Sequence, residues 1–357
     1  VRVIKSFVRE DHEIQKFSGI SEDIYRDFSR AEKRLAFNMP LMQFCMYACL
    51  ILVSWFGARM IVSRTLTTGQ LMSLMTYAIQ ILSSLMLLSM VFVMITMSLA
   101  SARRIAEILN EKTDIQNSKS PVMAVKDGSI TFKDVDFVYA SKADKKVLDH
   151  INLTISTGET VGIIGATGSA KSSLVQLIPR LYDVTGGTLT LGGIDVKDYD
   201  LDTLRSSVTM VLQKNELFSG TIKENLRWGN ENATEEELVE ALKLSQSYDF
   251  VKEKDKGIDS EVAQKGKNFS GGQKQRLTIA RALVKKPKIL ILDDSSSALD
   301  YATDAKLRSD IKTLKDITLF VVSQRTASIM DADQIVVLDD GKVVGFGTHD
   351  ELLKDCS

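Results

Sequence analysis

Three short stretches of this 357-residue chain carry residue types that could do chemistry together. The first, Gly165-Ala-Thr167-Gly168-Ser169-Ala170-Lys171-Ser172-Ser173, directly follows the apolar run Thr160-Val-Gly-Ile-Ile164. A glycine-rich turn between a strand and a helix presents backbone N–H groups to a phosphate. A lysine there reaches the phosphate oxygens, and a hydroxyl can bind a divalent cation. The second stretch is Ile289-Leu290-Ile291-Leu292, ended by Asp293 and Asp294. Consecutive apolar residues of this kind read as a strand buried on both faces, and ligands sit at the carboxyl ends of such strands. The third, Ser270-Gly271-Gly272-Gln273, opens a basic amphipathic helix. Its small residues allow close backbone approach, and the helix start offers free N–H groups and a positive dipole end that suit an anion.

The elements that must hold these residues alternate strand with helix, which implies a largely parallel sheet. Ile130–Val135 and Phe137–Tyr139 alternate like an antiparallel sheet, and Val147–Ile155 reads as a further strand. Ile335–Leu338, Asp340-Gly341 and Val343-Val344 carry a hairpin signal. A polar linker, EKTDIQNSKSP, precedes all of this.

Upstream the composition is different. The averages, 25% charged and 44% hydrophobic, are those of a soluble protein, but the apolar residues are segregated into 38–62 and 69–99. The first run has one charge, Arg59, and places Pro40 in a first helical turn. Each run exceeds the roughly 20 residues an α-helix needs to cross a bilayer. Arg26, Arg30, Lys33 and Arg34 before the first run, and Arg103 and Arg104 after the second, put both outer ends in the cytoplasm. Met72, Met75, Met86, Met90, Met94 and Met97 make the second run adaptable, and Gln80, Ser83, Ser84, Ser89 and Thr96 are expected to face other helices. Residues 1–37 are amphipathic and helical with a break near Ser18-Gly19, and the chain reads as truncated before Val1. Three cysteines, two of them (Cys45 and Cys49) in an apolar run, give no disulfide framework or metal spacing. A net charge of −1 gives no argument for nucleic acid.

The serine-glycine turn beside an acidic strand end resembles the nucleotide-binding domain of ABC transporters. With the two spans, nearly the whole chain is similar to the C-terminal part of an ABC exporter half-transporter. The expected fold class is an all-α transmembrane segment with cytoplasmic extensions, followed by an α/β P-loop ABC ATPase domain. That domain would have an antiparallel β subdomain and a helical subdomain inserted at about 214–280. The expected divisions are 1–37 (cytoplasmic extension and coupling segment), 38–110 (spans at about 38–62 and 69–100), 111–124 (linker) and 125–357.

The resemblance implies ATP and Mg²⁺ as cofactors. Tyr139 would stack on adenine. Gly165, Thr167, Gly168, Ser169, Ala170, Lys171, Ser172 and Ser173 would hold phosphates, and Ser172, Gln213 and Asp293 the metal. Ser270, Gly271, Gly272, Gln273 and Asp300 would contact nucleotide bound by the opposite subunit. Three positions depart from the family: Ala170 stands for glycine, Asp294 for the catalytic glutamate and Gln324 for the switch histidine. Aspartate is one methylene shorter, and glutamine cannot shuttle a proton. This implies a degenerate site in one subunit of a heterodimeric exporter, an ATP-hydrolysing translocase when assembled. Its signature would complete the catalytic site of a second half-transporter. The implied substrate is a hydrophobic small molecule, lipid or peptide, and the implied location is the bacterial plasma membrane, in contact with lipid. A homodimeric exporter with Asp294 as a slow base, and a non-transporting regulatory ABC protein, are the alternatives.

Overall fold

The computed structural model describes residues 1–139, 145–295, 299–314 and 316–355. Ser296, Ser297 and Ala298, in the loop leading to Asp300, and the side chains of Arg34, Leu35 and Met39 lie outside the described residues. The chain divides into two compact units, Val1–Lys112 and Thr113–Ser357.

The first unit is two long helices, Glu10–Val62 of 53 residues and Thr68–Asn110 of 43. At 1.5 Å per residue they run about 80 and 65 Å, roughly two to three times the ~30 Å hydrocarbon core of a bilayer. Each holds a stretch long and apolar enough to cross a membrane and still has helix left over. The break expected near Ser18-Gly19 is absent, since the first helix runs through both residues. A glycine in a helix costs only about 1 kcal/mol against alanine, too little to stop a pattern that continues on both sides. The interruption lies earlier, at Phe7–Arg9, where Val8 takes a φ of +52°. Pro40 is likewise inside the helix rather than in its first turn. A helix heading into hydrocarbon has no other partners for its backbone, so it tolerates the one lost bond.

The second helix begins at a capping box: Gln70 N–H donates to the Thr67 hydroxyl and Thr67 N–H to the Gln70 carboxamide. Its polar side chains are only partly as expected. Ser89 accepts from Asn38 of the first helix at 3.4 Å. Ser84 and Thr96 instead donate to their own helix, to the carbonyls of Gln80 and Val93.

The second unit is built on a six-stranded sheet in the order Lys342–Gly347, Gln334–Asp339, Thr160–Ile164, Thr318–Val322, Ile289–Asp293, Val208–Val211. All pairs are parallel except the first, a hairpin turned at Asp340-Gly341. Strand periodicity divides the core in two. Ile289, Ile291, Phe320 and Val322 enter one cluster, shared with a four-stranded antiparallel sheet containing Ile130–Phe137 and Leu148–Ile155. Leu290, Leu292, Leu319 and Val321 enter the other, under helices Glu235–Leu244, Gly271–Val284 and Tyr301–Lys312. The expected linker is partly docked on this unit. Asn117 bonds the Asp200 carboxylate and Leu201 N–H, and Val122 forms a parallel bridge with Tyr199.

Because every side chain of Ile289–Leu292 is buried, Ile291→Ala is expected to cost about 2–5 kcal/mol. A denaturant titration of the whole chain checks this, and a shift below 1 kcal/mol would contradict the two-faced core.

Candidate nucleotide site

The phosphate loop joins strand Thr160–Ile164 to helix Lys171–Leu177. It is tightly shaped. A Cβ on Gly165 would run into the Leu338 carbonyl and the Ser169 hydroxyl, and Gly168 has a φ of +88°. Ala170, where the family has glycine, is left-handed at φ +72°, ψ +21°. The loop therefore keeps its glycine-type backbone and carries the strain of a Cβ in it. Lys171 turns its ammonium inward, donating to the carbonyls of Gly165 and Ala166, both at 2.8 Å. Burial lowers the Lys171 pKa from its ordinary value, against the pull of Asp294 and Asp293.

A cleft of ≈ 400 Å³ opens over this loop. It is lined by Tyr139, Thr167, Gly168, Ala170, Lys171, Ser172, Ser173, Gln213, Asp293, Asp294 and Gln324. Val147, Val322 and Ser323 also line it, and sequence reasoning missed all three. The signal was there, since Val322 ends the strand beside Asp293 and Ser323 follows it directly. Gly165 and Ser169 lie behind the lining as partners of Lys171. A larger hollow of ≈ 570 Å³ near Leu244, Leu283 and Ile317 contains none of these residues, so size does not mark the site.

Two hydrogen bonds organise the acidic end. Ser172 Oγ donates to Asp293 Oδ1 at 3.0 Å, and Gln213 Nε2 donates to Asp294 Oδ2 at 3.0 Å. Asp293 is 3% exposed, and burial raises its carboxyl pKa. The Asp294 charge pushes the same way, and the Ser172 bond and Lys171 pull it back. Asp294 is left-handed, at φ +47°. A hydroxyl, a buried carboxylate and a side-chain amide are hard oxygen donors, so this set fits Mg²⁺. Tyr139 stands at the other side of the cleft. Its hydroxyl meets Ser173 Oγ at 2.8 Å, and its ring lies edge-on to Phe137 and Tyr182, with centroids 4.8 and 5.1 Å away.

The structure does not bring Ser270, Gly271, Gly272, Gln273 or Asp300 into this cleft. Ser270 and Gln273 form a capping box at the start of helix Gly271–Val284, with Ser270 and Gly271 exposed. Asp300 caps Tyr301–Lys312, accepting from Thr303 N–H and hydroxyl at 2.9 and 2.8 Å, and those bonds lower its carboxyl pKa.

Ala170→Gly removes a left-handed strain of roughly 1–2 kcal/mol and adds about 0.4–1 kcal/mol of unfolded-chain entropy. A melting temperature equal to or above that of the parent, with tighter Mg²⁺–ATP binding, is the expected result. A clear drop in both would show that the loop does not need glycine geometry.

Comparison with known proteins follows the same division. Residues 148–297 match the ABC transporter family and residues 1–86 the ABC transporter transmembrane region. An uncharacterized ABC transporter ATP-binding protein of Bacillus subtilis, YfiB, is 38% identical over 99% of this chain and 61% of its own length. An ATP-dependent lipid A-core flippase of Desulfotalea psychrophila is 35% identical over 99% of the chain and 62% of its own. The structure of a bacterial Atm1-family ABC exporter with ATP bound superposes with a TM-score of 0.92 at 28% identity, covering 100% of this chain and 63% of that one. The chain thus spans about three-fifths of the length of the relatives it matches. It belongs to the ABC transporter family, joining a membrane-spanning helical segment to an α/β ABC ATPase domain as exporter half-transporters do.

Proposed function

We propose that this chain is the ATP-binding and membrane-spanning subunit of a heterodimeric exporter whose own nucleotide site hydrolyses slowly. The observation that carries this reading is the placement of both non-consensus side chains. Asp294 and Gln324 line the same cleft as Lys171 and Ser172, where the family's glutamate and histidine would act. A base shortened by one methylene and held by Gln213 is misplaced by about 1 Å, which can lower a rate on the order of 100-fold. Gln324 can donate a hydrogen bond to a phosphate oxygen but cannot become cationic. Binding is a different matter, because Lys171, Ser172 and Asp293 are all in place.

Bound Mg²⁺ would neutralise the phosphate oxygens. Ser172, Asp293 and Gln213 would hold it, and Lys171 would leave the loop carbonyls for the phosphates. The exposed Ser270 corner would close over nucleotide held by a second half-transporter that has its own glutamate and histidine. Gln213 would relay closure to the membrane segments, moving a hydrophobic compound, lipid or peptide out of the cytoplasm. The lipid flippase among the relatives supports an amphiphilic cargo, and the Bacillus relative supports a bacterial plasma membrane. The second reading is a slow homodimer in which Asp294 is the base, favoured by its position in the cleft.

ATPase assays separate the two. The chain alone should turn over slowly, and the combined change Ala170→Gly, Asp294→Glu, Gln324→His should raise the rate on the order of 100-fold. Hydrolysis by the unaltered chain that is lost in Asp294→Asn, at a rate the combined change does not raise, would overturn the degenerate site and favour a homodimer with Asp294 as base.

A further inference from the structure

Tyr139 lies two residues beyond the end of strand Ile130–Phe137, and the chain returns along strand Leu148–Ile155. Where the two strands meet, one ammonium stands between two carboxylates. Lys146 Nζ donates to Asp136 Oδ2 at 2.8 Å and to Asp149 Oδ1 at 2.7 Å. The other oxygen of Asp136 accepts from the backbone N–H of His150 at 2.9 Å, and the Asp136 carbonyl accepts from Thr185 N–H and hydroxyl. Asp136 is thus fixed to Lys146, His150 and Thr185, in or next to the antiparallel sheet, and its neighbour Phe137 is a ring that Tyr139 packs against.

The carboxylates need Lys146. Oxygens of Asp136 and Asp149 and a ring nitrogen of His150 lie within 4.8 Å of one another, so without a cation two negative charges would face each other across the strands. Lys342 sits 3.3 Å from the far oxygen of Asp149 and cannot serve Asp136 in the same way. Both carboxyls are held below the usual carboxylate range, and the ammonium is raised, by these shared bonds. An exposed pair of this kind is worth little to overall stability. Its effect is local, because it closes the path that carries Tyr139 at the point where that path leaves the sheet.

We propose that Lys146 is a positioning residue for the adenine platform, tying Asp136 to Asp149 so that Phe137 and Tyr182 hold the Tyr139 ring at the mouth of the phosphate cleft. This rests on the reading of Tyr139 as the ring that stacks on adenine. Lys146 touches no nucleotide and acts only on the base end of the ligand. The phosphate end would be held by Lys171 and Ser172, which lie apart from it on helix Lys171–Leu177.

That separation makes the test selective. Binding is measured on the purified full chain with Mg²⁺ by displacement of a fluorescent ATP analogue, using ATP and inorganic tripolyphosphate as competitors. Lys146→Ala should weaken ATP about 3–10-fold while tripolyphosphate stays within about two-fold, and Lys146→Arg should restore ATP binding. If Lys146→Ala does not fold, Asp149→Asn, which removes one arm of the bridge, should give a smaller loss of the same selectivity. Equal loss for both competitors, or no loss for either, overturns the proposal. Tyr139→Ala serves as the reference. If it leaves ATP affinity unchanged, the platform reading itself fails and takes the Lys146 proposal with it. If it lowers ATP affinity selectively while Lys146→Ala does not, only the role of Lys146 fails.

Discussion

A carboxylate buried at the end of an apolar strand is the constraint on which the rest of this site depends. Strand Ile289–Asp293 is covered on both faces, so Asp293 is carried into the interior with it. Burying an unpaired charge is expensive, and the structure offsets it with Ser172 and with the buried ammonium of Lys171. Lys171 faces the opposite penalty, and its pKa is lowered by the same desolvation. The sheet therefore presents a negative group and a positive group together at its carboxyl edge. Mg²⁺ with a nucleotide phosphate answers both.

Backbone strain flanks this arrangement on two sides. Ala170 and Asp294 are both non-glycine residues in the left-handed region, at φ +72° and +47°. Such conformations cost of order 1–3 kcal/mol and persist where surrounding structure imposes them. The Asp294 N–H is held by the Val322 carbonyl, and Ala170 caps a helix packed under the main sheet. Two of the three positions that depart from the family pattern are thus also positions where the fold dictates an unusual backbone.

Much of this was legible in the sequence, for identifiable reasons. The strands around Ile163, Ile291 and Val336 are short apolar runs bounded by turn residues, and the phosphate loop has a spacing that few other structures need. The capping boxes at Thr67 and Ser270 went unread, although side chains three residues apart signal them. What failed were single-residue punctuation signals. Gly19 and Pro40 were read as boundaries, yet both lie within one 53-residue helix, because cooperative helical bonding outweighs one weak position. Ser84 and Thr96 satisfy their hydroxyls within the helix, which a pattern of polar residues cannot reveal. The supports of Tyr139 were equally hidden, since Tyr182 and Lys146 reach it or its strand only through tertiary contacts.

The Ser270 corner and the phosphate loop belong to one domain but not to one cleft, and in the function proposed above a second nucleotide-binding domain would complete the site. The most direct measurement on the assembled transporter is photolabelling with an azido-ATP during turnover, followed by separation of the two chains and identification of the nucleotide on each. Intact triphosphate on this chain and diphosphate on the other is the predicted result. Diphosphate appearing on this chain at the same rate as on its mate would contradict the account.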